Sequence, residues 1–288
     1  GSTVMWSAHA PRFHPSDFRV RTLDGVGADW PLDYAELEPY YDLNDRLTGV
    51  CGIAGDPANP PRSPRQTPPL PLGPGGVRLA RAFESLGWHW WPCDGNINSA
   101  PYDGRPACNG CGPCELGCPT RAKASADVTY WPKAIAAGAR VVTDAAVAQI
   151  AVDARGRASG VHYVDADGVE RFQAARVVVL AANGIGTPRL LLHSGIGNGS
   201  GLVGRGLMLH PIAAVSGVFD EDLQTNRGAN AFSIFSHEFY ESDPSRGFVR
   251  GYQLQVTRAQ GPLMTALGGF AHHVPWGAGH HRRFEQVC

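Results

Sequence analysis

Cys108, Cys111, Cys114 and Cys118 crowd into one short loop, CNGCGPCELGCP, separated by two, two and three residues and followed by Pro119. Thiols at this spacing, closed by proline, match the bacterial ferredoxin run, and soft thiolates suit iron–sulfur chemistry. In ferredoxins the fourth cysteine of such a run serves the other cluster, and no second run occurs here. A single cluster would therefore take three of these thiolates with Cys93 or Cys51 as a remote fourth, or be a three-iron cluster. Structural zinc favours two cysteine pairs about a dozen residues apart, which these four are too crowded to supply. Disulfides require an oxidising compartment. A metal-free loop with free or transiently oxidised thiols is the plainest alternative.

Elements on either side must hold that loop. Upstream, DYAELEPYYDLNDRLTG reads as an amphipathic helix capped by Asp33, with Leu37, Tyr40, Tyr41, Leu43 and Leu47 as its apolar positions and Gly49 as its stop. The proline-rich stretch from Gly55 to Gly76 reads as an extended strap, and GVRLARAFESLG as a short helix ending at Gly87. WHWWPC, from Trp88 to Cys93, reads as packing rather than a stacking platform. Downstream, ADVTYWPKAIAAG is expected to be helical with Pro132 in its first turns. RVVTDAAVAQIAVD then reads as a strand, and ASGVHYVDADGVERFQAA as a hairpin turning at Asp167-Gly168. ARVVVLAAN is a continuous apolar run, expected to be a buried strand. It leads through a glycine turn to a helix capped by Thr187 with Pro188 first, whose free N–H groups would favour an anion. IAAVSGVF, AFSIFSHEF and GFVRGYQLQVTRA read as antiparallel strands.

Composition narrows the class. The 288 residues are 43% hydrophobic and 18% charged, a globular balance. With 25 basic against 26 acidic residues there is no electrostatic footprint for nucleic acid. No apolar run approaches the roughly 20 residues needed to span a bilayer. The 36 glycines and 23 prolines indicate a loop-rich fold. The opening GSTVMWSAHAPRF and closing HHRRFEQVC read as the ends of an interior fragment, which leaves the compartment open.

CNGCGPCELGCPTRAKASADVTYWPKAIAAGARVVTDAAVAQI, VVVLAANGIGTPRLLLHSG and GLVGRGLMLHP occur in this order, after GSTVMW. Together they resemble the middle of a GMC (glucose–methanol–choline) flavoprotein oxidoreductase, in the bacterial dehydrogenase branch that carries a cysteine-rich loop. The resemblance implies a partial, Rossmann-like α/β FAD-binding domain and a partial α+β substrate domain built on an antiparallel sheet. It divides the chain into residues 1–75 (flavin-edge motif and lid or strap), 76–210 (FAD-binding, with the cysteine loop) and 211–288 (substrate-binding). It implies that Gly1, Ser2 and Thr3 lie against the FAD pyrophosphate and flavin edge, where small residues let the backbone come close. Val147 would offer its backbone to the adenine, and Ala181, Ala182 and Asn183 would lie beside the dinucleotide. Trp6 falls where many members have an asparagine close to the flavin.

The implied activity is oxidation of a CH–OH group of an alcohol, sugar or sugar acid by hydride transfer to FAD, and a quinone or cytochrome would take the electrons onward. Within that family some members carry a cluster near this loop, with Cys108, Cys111, Cys114 and Cys118 as its ligands here. The family's first G-x-G-x-x-G fingerprint is not matched, since GIGNGSG follows a helix rather than a strand. Its catalytic histidine motif is not matched either, so no catalytic residue is assigned within this chain. The alternatives are a non-catalytic iron–sulfur or metal-binding electron-transfer module, which predicts iron without flavin, and an inactive truncated chain. His9 and His14 are open to substrate contact, with a surface position as the plainer reading, and Arg12 to an acidic group or phosphate.

Overall fold

A computed structural model describes residues 2–112, 114–215, 217, 219–229, 232–258, 277–279 and 281–282. In chain order the elements are α1 (Ser2–Met5), α2 (Val20–Asp24), α3 (Tyr34–Thr48), α4 (Gly73–Ser85), β1 (Trp91–Pro92), α5 (Tyr130–Ala136), β2 (Ala146–Val152), β3 (Ala158–Val164), β4 (Glu170–Ala174), α6 (Asn183–Ser194), β5 (Phe232–Ser236) and β6 (Leu254–Thr257). Three 3₁₀ turns, Pro15–Arg19, Cys114–Leu116 and Pro244–Arg246, lie between them. Two compact units result: Gly1–Ala137 with Gly217–Cys288, and Gly138–Ser216. These boundaries follow packing, whereas the divisions at 75 and 210 follow the order of motifs.

In the first unit β5 pairs antiparallel with both β1 and β6, with Trp91 opposite Phe235 and Ile234 opposite Val256. Helix α4 lies on β5, where Ala80, Ile234 and Val256 form a core flanked by Leu72, Phe83 and Trp90. Gly76 permits that approach, because a Cβ there would stand 2.8 Å from the Ser233 hydroxyl. The tryptophan cluster is packing, as expected: Trp88 stands edge-on to Phe239 with ring centroids 5.0 Å apart. Helix α4 starts at Gly73, earlier than expected, because Pro74 suits a first turn.

Helix α3 has the expected ends, with Asp33 accepting from the Glu36 N–H and Gly49 in the left-handed conformation. Its buried face differs from the expected one. Tyr34, Asp45 and Thr48 are buried while Tyr40 and Leu43 are exposed. The reason is ionic: Asp45 accepts from Arg12 at 2.6 Å and from Arg62 at 2.7 Å, so this carboxylate takes an inward place. Arg12 also bonds Asp42 at 2.5 Å through the same nitrogen, Nη2, so that end of its guanidinium is paired within the chain.

In the second unit β2, β3 and β4 form an antiparallel meander with β2 on the edge. The hairpin turns at the expected place, with Gly168 at φ 76°. Helix α6 packs on β2, and the Ile150 N–H donates to the Ser194 hydroxyl at 3.0 Å.

Three expectations fail here. The apolar run after β4 is not a strand, and Val177 and Val179 are 77% and 82% exposed. No described strand lies beside that run to take its hydrogen bonds, so it neither pairs nor buries. Helix α6 begins at Asn183 rather than after Thr187, and Pro188 lies inside it. Asn183 adopts φ 64° and its side-chain oxygen caps the N–H groups of Ile185 (2.8 Å) and Gly186 (3.0 Å), which pulls the start forward. Residues 212–215 carry no strand, so the antiparallel pattern begins only at β5. Both described sheets are antiparallel.

Candidate functional site

The N-terminal segment and the cysteine loop lie on one core of the first unit. Ala8, Ile97, Ala122 and Ala229 form its centre, and Trp6, Cys108, Cys114 and Cys118 pack around it. Short bridges build the platform. The Asn96 N–H donates to the Ala8 carbonyl at 2.7 Å and the Ala10 N–H to the Asp94 carbonyl at 3.0 Å. On the other side of the same segment, Ala124 N–H donates to Asn96 O at 2.8 Å, Asn98 N–H to Ala122 O at 3.0 Å, and Cys108 N–H to Asn98 O at 2.8 Å. Residues 94–98 are thus the spine against which both segments are laid.

Two buried cations tie the platform together. Arg105 donates to Ala122 O at 3.1 Å, to Asn98 Oδ1 at 3.1 Å and to Thr48 O. Lys123, 1% exposed, donates from Nζ to Val4 O at 2.7 Å, to Trp6 O at 2.9 Å and to Cys114 O. Burial draws both cations below their ordinary pKa range. Thr3 adds a further tie, accepting from the Ala126 N–H at 3.0 Å. The sequence reading passed over Lys123, although a signal was present: of 25 basic residues only Lys123 and Lys133 are lysines, and Lys123 sits in a run of small residues, RAKAS.

The cysteine loop is held tightly from behind. Gly228 N–H donates to Gly110 O at 3.0 Å, and Gly112, at φ 99°, faces Asn226 O so closely that a Cβ would lie 2.7 Å from it. Cys108 Sγ accepts from the Gly110 N–H and Cys118 Sγ from the Lys123 N–H, each at 3.4 Å. Burial raises the Cys108 thiol above its usual range. Burial also opposes ionisation of Cys118, but the Thr120 hydroxyl and the N–H groups of Lys123, Ala122 and Thr120 outweigh it and hold that thiol low. Cys111 is exposed. The remote candidate Cys51 is fully buried, and burial pushes its thiol up to about 12. Among the described residues no group of three or more His, Cys, Asp or Glu side chains is placed to hold a metal ion.

The other expected site residues fall as follows. Gly1 lies outside the described residues. Ser2 and Thr3 belong to α1, joined through Thr3 and the Val4 carbonyl to the segment that follows the cysteines. Val147 lies on the edge strand β2 beside a bulge and is exposed. Ala181, Ala182 and Asn183 are exposed at the start of α6, where the Asn183 side chain occupies the N–H groups of Ile185 and Gly186 at the observed helix start, upstream of the expected start at Thr187. Val147 and Ala181–Asn183 belong to the second unit, Ser2 and Thr3 to the first.

His14 is buried rather than at the surface, bonding Glu241 at 2.8 Å and Asn59 at 3.1 Å. Asn59 reaches Asp56 at 2.8 Å and His237 at 3.1 Å, and Asp56 bonds His89 at 2.8 Å. A cavity of about 20 Å3 adjoins this network, lined by Asp56, Asn59, Arg62, Trp91, Asp94 and His237 among others. That volume suits one water rather than an alcohol or a sugar.

A family model described as GMC oxidoreductase matches residues 72–212. The chain is 41% identical over 299 residues to a 2-methyl-1,2-propanediol dehydrogenase of Mycolicibacterium austroafricanum, covering 99% of this chain and 54% of that protein. The chain belongs to the GMC oxidoreductase family. Two further family relatives are the fructose dehydrogenase large subunit of Gluconobacter japonicus (37% identical, 73% of this chain, 40% of that protein) and a 6'''-hydroxyparomomycin C oxidase of Streptomyces lividus (33%, 86% and 49%). The chain spans about half the length of the curated relatives it matches. Membership in the GMC family implies FAD as the cofactor. One feature of the platform fits it: the indole Nε1–H of Trp6 is buried without a hydrogen-bond partner among the described residues. A buried donor in that state favours an acceptor from a bound group.

Proposed function

We propose that the protein containing this chain is an FAD-dependent dehydrogenase that oxidises a CH–OH group of a small alcohol, sugar or sugar acid. The observation that carries the reading is the 41% identity to a diol dehydrogenase along 99% of the chain. FAD, when bound, supplies the two-electron acceptor. Ser2 and Thr3, with Gly1, are small enough to admit a cofactor against their backbone. The Trp6 N–H is a donor held out of water. Val147, Ala181, Ala182 and Asn183 are assigned to the adenosine and pyrophosphate side on the strength of the motif order. The Rossmann-like sheet that such a domain requires is part of this proposal, as is the division at residues 75 and 210.

Cys108, Cys111, Cys114 and Cys118 are proposed thiolate ligands. The N–H···S bonds and sulfur-rich donor set suit iron, whereas the described side-chain placement does not gather three of them. No step is therefore derived through a cluster. A quinone or cytochrome is the proposed outward acceptor.

The test is the full-length protein, assayed with a redox dye against diols, polyols, sugars and sugar acids, with released flavin and iron measured on the same sample. Stoichiometric FAD and dye reduction by at least one alcohol class is the expected result. Iron without flavin would overturn the reading in favour of an electron-transfer module.

A further inference from the structure

We infer that Lys123 is the positioning residue of the flavin edge, fixing residues 4–6 onto the cysteine loop through its ammonium. The inference rests on the flavin reading above and goes beyond it, since it assigns a role to a residue outside the cofactor-contact set. An ammonium has three donors arranged tetrahedrally and no acceptor. Lys123 spends them on Val4 O at 2.7 Å, Trp6 O at 2.9 Å and Cys114 O. The acceptors come from two stretches far apart in sequence, and the ammonium is the point at which they converge.

Side-chain choice supports the assignment. This chain uses arginine almost everywhere it needs a cation, yet lysine stands here. A planar guanidinium presents a forked row of donors and cannot point three bonds at carbonyls converging on one point. At 1% exposure the ammonium is closed off from water, so these carbonyls are its solvation. The cation acts on a segment that still has something to bind: the carbonyl of Trp6 is tied down while its indole N–H has no partner among the described residues. Lys123 thus fixes the backbone from which that donor is presented. Its own backbone N–H meets Cys118 Sγ at 3.4 Å, so one residue touches both the N-terminal segment and the cysteine loop.

The experiment compares full-length wild type with Lys123→Met, Lys123→Arg and, as a control, Lys133→Met, whose surface ammonium pairs with Asp103. FAD dissociation, the visible circular dichroism of the bound flavin and its midpoint potential are read on each. Lys123→Met is expected to weaken FAD retention about tenfold or more, the scale on which loss of a supporting contact behind a binding group is felt. Its flavin dichroism and potential should shift, Lys123→Arg should fail to restore them, and Lys133→Met should match wild type. A folded Lys123→Met with wild-type retention, dichroism and potential overturns the inference. Wild type without flavin overturns the functional reading itself.

If Lys123→Met does not fold, amine labelling of wild type decides. Lys123 should be protected relative to Lys133 in the holoprotein and become more reactive once flavin is removed. Equal labelling of Lys123 with and without flavin overturns the inference.

Discussion

His9 shows how one half-buried side chain sets a pH limit. Its ring lies edge-on to Phe235 at 4.9 Å, and burial pulls its pKa down to about 3. In an unfolded chain a histidine titrates near about 6.5. Between those values the unfolded state binds a proton that the native state refuses, so stability falls as pH drops through that window, by up to about 1.4 kcal/mol per unit. His237 acts in the same direction, chiefly through burial and then through His14. His9→Gln should therefore flatten the loss of thermal stability between pH 6 and pH 4, and an acid limb as steep as that of wild type would refute the assignment. The thiols carry a parallel contrast. Cys51, at about 12, holds roughly a thousandfold less thiolate than an ordinary cysteine, whereas Cys111 is exposed. Iodoacetamide at pH 8 followed by peptide mass spectrometry should find Cys111 modified first and Cys51 intact. Early modification of Cys51 would mean that its burial is not maintained in solution.

At the scale of elements, the cysteine loop depends on its glycines more than on its thiols. Gly112 combines φ 99° with a neighbouring carbonyl that would stand 2.7 Å from a Cβ, whereas Gly168 combines φ 76° with open space. Gly112→Ala should cost about 1–3 kcal/mol or displace the loop, and Gly168→Ala only about 1 kcal/mol. Melting temperatures of the two variants give the comparison, and equal losses would show that residues 226–228 do not press on the loop. Elements of this kind were legible where a local rule decided them. Asp33 and Gly49 bracket α3 because a capping side chain and a left-handed glycine act within a turn of their own position. The hairpin at Asp167-Gly168 follows for the same reason. What could not be read were outcomes set by distant partners. Asp45 faces inward because Arg12 and Arg62 come to meet it, and Lys123 is buried because Val4 and Trp6 arrive from the far N-terminus.

At the scale of the whole molecule, the run VVVL after β4 shows that apolar sequence specifies a strand only when a neighbour is there to pair with it. Its alternate residues Val177 and Val179 are exposed, as are Met208 (89%), Leu209, Ile212 and Val215 within the same compact unit. So many large apolar side chains left in water within one small unit mark a surface that favours a partner. The family order of motifs was legible because short-range residues carry it, while burial of this run depends on a neighbouring strand, and none lies beside it among the described residues. A polypeptide limited to residues 1–288 should accordingly bind a hydrophobic dye strongly and self-associate at micromolar concentration. Val177→Ser with Val179→Ser should lower dye binding with little loss of thermal stability, because both side chains are largely exposed. In a polypeptide of the relatives' full length the same double substitution should instead be destabilising, by about 1–3 kcal/mol for each side chain that becomes buried there. Equal tolerance in the two lengths would show that this surface stays open to solvent in the complete protein, and the case for a covered sheet at this point would fall with it.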